Sequence, residues 1–180
     1  MQQTSFYSEE ELAALGLKSY GKNVKLSRFA RIYSTDHITM GNNVRIDDFC
    51  ILSGNITLGS NIHISPYTVL YGALGIVMEN NTGISARGIV YSAMDDFSGD
   101  YLIGPIHEEA KTHVTGGPVI IKRFSQIGAN CVIFPNLTIG EGVAVGACSL
   151  INKSLDSWGI YVGTPARFLK KRSQKLLDLI

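Results

Sequence analysis

The chain has 180 residues, 45% of them hydrophobic and 17% charged, with a formal net charge of +1. That length suits one domain with a sizeable core, and the near-neutral balance argues against both a dedicated nucleic-acid binder and a disordered chain. No apolar run reaches the roughly 18 residues of a membrane helix, the N-terminus lacks a secretory layout, and three cysteines without close pairing (Cys50, Cys131, Cys148) point to a cytoplasmic, reduced protein.

In chain order, residues 1–19 read as an N-terminal cap. Ser8 followed by Glu11 makes a capping box ahead of Leu12 and Leu15, so a short helix is predicted there. From residue 20 to 165 an internal repeat takes over. An aliphatic residue or Met recurs every six positions at Met40, Ile46, Leu52, Leu58, Ile64 and Leu70. After a two-residue insertion it resumes at Met78, Ile84 and Val90, and later runs from Ile121 through Ile127, Ile133, Ile139 and Val145 to Ile151. An earlier, weaker stretch is Tyr20, Leu26 and Ile32. Four residues after most of these comes a second small or aliphatic residue, as at Val44, Cys50, Ile56 and Ile62, and later at Cys131, Leu137 and Val143.

A period of six means a short strand with two inward positions and then a sharp bend. Gly41-Asn42-Asn43 and Gly59-Ser60-Asn61 supply residues that tolerate positive φ at such bends. Three strands and three bends close a coil of about 18 residues, and stacked coils form one continuous core. The fold class predicted is all-β, a parallel β-helix. The repeat breaks at 91–118, a loop inserted mid-stack, and residues 166–180 read as a C-terminal basic helix. In it Phe168, Leu169, Leu176 and Leu177 are apolar, and Arg167, Lys170, Lys171, Arg172 and Lys175 are basic.

A long loop inside a compact repeat is a candidate for function. This one carries Asp95, Asp96, Asp100, His107, Glu108, Glu109 and His113. A histidine there suits proton transfer near neutral pH, and Asp95 or Asp96 would suit an amine acceptor that loses its proton readily. Asp47 and Asp48 interrupt the apolar repeat at a bend. They either hold a cationic amino group by charge-assisted hydrogen bonds or are turn residues, solvated or paired with Arg45. His37 and His63 lie far along the repeat from His107 and His113 with no ligand spacing, so no metal is expected.

The units Ile127-Gly-Ala-Asn-Cys-Val and Ile139-Gly-Glu-Gly-Val-Ala resemble the hexapeptide repeat of the left-handed β-helix acyltransferases, over roughly residues 20–165. The left hand is implied by that resemblance alone. Gly104-Pro-Ile-His-Glu-Glu resembles the histidine-bearing loop of galactoside and maltose acetyltransferases, which implies His107 as the group that deprotonates the acceptor. His107 stands further from its coil than that family's histidine, which leaves Asp95 and Asp96 as alternatives and His113 as a further acceptor-side group. Trp158-Gly-Ile-Tyr-Val-Gly-Thr-Pro-Ala-Arg resembles the family's closing segment. The resemblance implies acetyl-CoA as co-substrate, with its pantetheine arm beside Ala129 and Ala147. Its adenine end would then lie by Asn152 and Lys153, near Pro165 and Arg167, with a phosphate on Lys170.

The segments 43–54, 95–101, 116–121 and 158–166 together resemble the acetyltransferases that modify dTDP-4-amino-4,6-dideoxyglucose in surface-polysaccharide synthesis. The alternative is O-acetylation of a sugar hydroxyl. The family further implies a homotrimer with active sites between subunits. If Lys170 meets a phosphate, Lys170→Glu raises the apparent Michaelis constant for acetyl-CoA, and an unchanged constant in steady-state kinetics removes Lys170 from the site.

Overall fold

The computed structural model describes residues 4–180. The six-residue repeat becomes short strands whose side chains alternate in and out, as in Val44–Ile46, where Val44 and Ile46 are buried and Arg45 is exposed. Ile51–Leu58 and Val69–Met78 are longer because each runs through a corner and serves two faces. Each strand pairs in parallel with the equivalent strand of the next coil, producing three faces around one core. The first face stacks Lys25–Leu26, Val44–Ile46, Ile62–Ile64, Gly83–Ile84, Gln126–Ile127, Ala144–Val145 and Gly159–Val162. The second runs from Arg31–Tyr33 through 51–53, 69–71, Ile89–Tyr91 and Val132–Ile133 to Leu150–Ile151. The third runs from Ser19–Tyr20 through Ile38–Met40, 56–58, 76–78 and Val119–Ile121 to Leu137–Ile139. Every repeat position from Met40 to Ile151 is buried, together with the partners four residues on; Tyr20, at the open end, is exposed.

The corners divide the work between asparagine and glycine. At the corner that leads into the first face, Asn23, Asn43, Asn61 and Asn81 adopt φ of 57°, 55°, 60° and 60°. Their side-chain amides form a ladder along the stack, each Nδ2 donating to the next Oδ1 at 2.9 Å. Gly41 is not in the left-handed region. It is required because a Cβ there would lie 2.7 Å from the carbonyl carbon of Gly59 in the next coil. The two-residue insertion between Leu70 and Met78 is absorbed at the corner between second and third faces, where Gly75 takes φ of 105°.

Both ends are covered. The helix Glu9–Ala13 starts with the expected capping box: Ser8 N–H donates to the Glu11 carboxylate, and Glu11 N–H donates to Ser8 Oγ. Leu12 is buried against the first coil. The expected C-terminal helix is absent. Arg167–Lys171 is instead a strand, antiparallel to Gly159–Val162, followed by a 3-10 turn at Lys175–Leu179. The reason is the open ladder: the last strand of the first face would otherwise expose a row of unpaired backbone groups, and the returning chain satisfies them. Arg172 then closes the end, its Nη1 donating to the carbonyls of Phe124, Gly142 and Val143. The 91–118 insertion is built on a hairpin, with Ala93–Asp95 antiparallel to Val114–Gly116, so it projects as an arm between the second and third faces.

Asn61→Ala places alanine in the left-handed region and breaks the amide ladder. It should lower stability by about 1–2 kcal/mol, a fall of roughly 2–8 °C in Tm for a chain of this size. Gly41→Ala, which drives a Cβ into the Gly59 backbone, should cost more than Asn61→Ala in thermal unfolding followed by circular dichroism. Equal stability of Gly41→Ala and wild type would contradict the close-stacking account.

Candidate active site

The corner that leaves the first face changes character along the stack. Ser27, Asp47, Ser65, Ser85, Gly128 and Gly146 occupy equivalent positions, one residue past each strand's last ladder position, and Ala129 and Ala147 follow the two glycines. Toward the C-terminal end this corner is therefore built of small residues and backbone, which leaves its surface open to a slender chain. Toward the N-terminal end it carries Asp47 and Asp48 and the half-exposed rings of Phe49 and Tyr67, stacked at 5.0 Å. Phe49, Tyr67 and Arg87 adopt φ of 62°, 63° and 62° there.

At the C-terminal end a cavity of about 730 Å³ opens between residues 153–158 and the returning strand. Its lining includes the cations Lys153, Arg167 and Lys171, the aromatic residues Trp158, Tyr161 and Phe168, and one acid, Asp156. Asn152, next to Lys153, is exposed. Lys170 is paired with Ile160 and lies outside the cavity lining, whereas its neighbour Lys171 contributes to it. Pro165, after a cis peptide bond, carries the chain from the last coil into the returning strand. The basic residues predicted from a helix are thus gathered by a strand, and Lys171 is the one the helical reading did not single out.

The arm separates residues that are adjacent in sequence. Asp95 pairs with Val114 across the hairpin, and Asp96 N–H donates to the His113 carbonyl. Because side chains alternate along a strand, Asp95 and Asp96 project from opposite faces. Asp96 Oδ2 lies 3.0 Å from His113 Nδ1, and its Oδ1 accepts the Ser98 N–H at 2.7 Å. The His113 hydrogen bond, helped by Ser98, pulls the Asp96 carboxyl down to about 2. Tyr101 packs against the His113 ring at 4.8 Å between centroids. Asp96 and His113 therefore form a clamp on one face of the arm, and Asp95 stands free of that clamp on the other. His107 sits near the exposed tip, close to the Glu108–Lys111 ion pair.

Asp47 is buried, and its carboxylate is fully engaged within the chain. Oδ1 accepts Arg45 Nε at 2.7 Å, and Oδ2 lies 2.7 Å from His63 Nε2. Burial alone would raise this carboxyl, but the His63 and Arg45 hydrogen bonds outweigh it and hold the group below the usual range. Asp48 accepts the Ser27 hydroxyl. The bend predicted from Asp47 and Asp48 thus turns toward solvent mainly through Arg45 and His63. Of the other histidines, His37 bonds the Asn55 side chain, so each of His37, His63 and His113 has a different neighbour.

No protein-family model matches the chain. It is 36% identical over 178 residues to the dTDP-4-amino-4,6-dideoxy-D-glucose acyltransferase of Escherichia coli, covering 97% of this chain and 93% of that one. It also superimposes on AntD, an N-acyltransferase from Bacillus cereus. The complex of AntD with dTDP and 3-hydroxybutyryl-CoA is 54% identical with a TM-score of 0.96, covering 98% of this chain and 95% of that one. A serine-to-cysteine variant of AntD, solved with dTDP-4-amino-4,6-dideoxyglucose and coenzyme A, is 53% identical with a TM-score of 0.97, covering 99% and 96%. With its parallel β-helix, inserted arm and near-complete overlap, this chain is a member of the dTDP-4-amino-4,6-dideoxyglucose acyltransferase family.

Proposed function

We propose that the chain transfers an acyl group from a coenzyme A thioester to the 4-amino group of dTDP-4-amino-4,6-dideoxyglucose, in the cytoplasm, during surface-polysaccharide synthesis. The observation that carries this reading is the full-length superposition on AntD, whose complexes hold that sugar nucleotide and coenzyme A. The donor is acetyl-CoA in the sequence reading; the 3-hydroxybutyryl-CoA held by AntD makes the longer thioester the second donor to test.

The corner of small residues at Ala129 and Ala147 suits the pantetheine arm, and the cavity lined by Lys153, Arg167 and Lys171 suits the phosphates and adenine at its far end. Asp95 is the acceptor-side residue we favour. AntD has been solved with substitutions at a serine and at an aspartate ten positions apart, the spacing of Ser85 and Asp95 here. Ser85 lies on the same corner as Ala129 and Ala147, so it stands where a thioester at the end of that arm would come to rest. In the reaction the neutral amine attacks the thioester carbonyl, a C–N bond forms, the C–S bond breaks, and the surplus N–H proton passes to the departing thiolate. Asp95 accepts a hydrogen bond from the amine and aims its lone pair, a contribution of orientation. An amine needs less help from a base than an alcohol does, which fits a carboxylate here and leaves His107 dispensable.

Ser85 and Asp95 occupy different corners of the same coil, with the strand Ile89–Tyr91 between them, a separation of about 15–20 Å at strand spacing. A site that uses both draws them from two copies, and this supports the homotrimer with active sites between subunits. The acceptor-side roles of Asp47, Asp48 and His113 in this scheme are indirect, since each is already hydrogen-bonded within the chain or paired across the arm.

A thiol-release assay tests the reading. Acetyl-CoA and 3-hydroxybutyryl-CoA are run against dTDP-4-amino-4,6-dideoxyglucose, its 3-amino counterpart and simple galactosides. Turnover is expected on the 4-amino sugar, with Asp95→Asn lowering kcat by about 10²-fold or more and His107→Ala leaving it within a few-fold. Turnover on galactosides alone, abolished by His107→Ala, would establish O-acylation in its place.

A further inference from the structure

The outward positions of the first face form a column across the coils, Lys25 opposite Arg45, Arg45 opposite His63, and His63 opposite Gly83. Adjacent strands are about 4.8 Å apart, so three side chains able to carry positive charge stand in a row at that spacing. Such a row would ordinarily disperse its charges into solvent. Here two of its members are fixed. Asp47, with only 7% of its surface exposed, uses one carboxylate oxygen for Arg45 Nε and the other for His63 Nε2, both at 2.7 Å. The Arg45 guanidinium also lies over the Phe6 ring at 5.3 Å. A buried carboxylate that grips the inner nitrogens of an arginine and a histidine leaves the guanidinium Nη groups and the histidine Nδ1 as the groups presented outward.

The next coil has no side chain at the equivalent place. The Gln126 amide lies over Gly83, so close that a Cβ on Gly83 would meet its Oε1 at 2.7 Å. The column therefore passes from Lys25, Arg45 and His63 to a neutral amide, two residues short of the Ser85 corner. Charge and fixed geometry coincide only over coils one to three, well away from the cationic cavity at the C-terminal end.

We propose that Arg45 and His63, oriented by Asp47 and extended by Lys25, form an anion subsite that takes the diphosphate of the nucleotide-linked acceptor. The proposal rests on the function proposed above and names the recognition that the bend at Asp47 performs: its exposed chemistry selects a diphosphate rather than the sugar's amine. A diphosphate matches a row of donors about 4.8 Å apart better than a single carboxylate does, and Arg45 offers it two parallel N–H groups. Coenzyme A also contains a diphosphate. Its basic cavity lies several coils away, so the acceptor is the source assigned here.

Isothermal titration calorimetry with dTDP and, separately, with coenzyme A distinguishes the sources. Arg45→Gln and His63→Gln each remove one partner of the buried Asp47 carboxylate and so lower Tm modestly. Each is expected to weaken dTDP about tenfold or more and leave coenzyme A affinity unchanged, the unchanged coenzyme A affinity showing that the fold is intact. Asp47→Asn should weaken dTDP similarly while Arg45 and His63 remain, which marks Asp47 as a positioning residue; if it also weakens coenzyme A, the two exposed variants decide alone. Unchanged dTDP affinity in both exposed variants overturns the subsite while leaving the enzyme's proposed function intact. Loss of coenzyme A affinity instead of dTDP affinity overturns the assignment to the acceptor. Failure of the wild type to bind dTDP overturns both the subsite and the acceptor reading.

Discussion

Parallel coils stacked in register have to turn at the same three places, coil after coil, because each strand's backbone donors and acceptors are committed to the strands above and below. That constraint accounts for most of what the sequence spends its residues on. It demands two inward apolar positions per strand, a corner residue content with positive φ, and glycine wherever two corners approach too closely for a Cβ. It also leaves two kinds of place where chemistry can be installed without breaking a ladder: the corners, and the outward side chains of the strands. The arm leaves the stack at a corner, Ser85 sits at one, and so do the small residues Ala129 and Ala147.

The corners also show where conformational economy gives way. At the corner entering the first face, four successive coils use asparagine, whose short amide tolerates the left-handed region and binds its neighbour. At the corner leaving that face, the corresponding coils use Phe49, Tyr67 and Arg87 at nearly the same φ. Bulky side chains in that region are strained, and strain of this kind gathers at functional sites. Phe124 and Trp158 take the same conformation at the corner entering the first face, so strained bulky residues occur on both edges; the Asp47 cluster and Ser85 lie on the edge of Phe49, Tyr67 and Arg87.

Much of this was legible in the sequence. The six-residue phase located the core residue by residue, from Met40 through Ile151, and the Ser8–Glu11 box located the cap. The C-terminal strand was not legible, because the spacing of Phe168, Leu169, Leu176 and Leu177 is compatible with a helix, and the open ladder at Gly159–Val162 that captures the segment exists only once the coils are built. The division between Asp95 and Asp96 depends on the register of a hairpin with strands of three residues, separated by residues 96–113 and too short to leave a periodic signal. Ser85 is one of three serines at equivalent corners, with Ser27 and Ser65, and nothing in its neighbours marks it. His63 carries no ligand spacing in the sequence, and its tie to Asp47 is a contact between neighbouring coils, visible in the repeat once positions 47 and 63 are placed on successive turns.

The central claim is that Ser85 and Asp95, at two corners of one coil, act together only across a subunit boundary. Complementation tests it most directly: Ser85→Ala and Asp95→Asn are each purified alone, then co-expressed as mixed oligomers and assayed with dTDP-4-amino-4,6-dideoxyglucose. Each variant alone should be strongly impaired, and the mixed oligomers should regain a substantial fraction of wild-type turnover, because some boundaries then carry both native residues. Mixed oligomers no more active than the average of the two separate variants would contradict a site shared between copies.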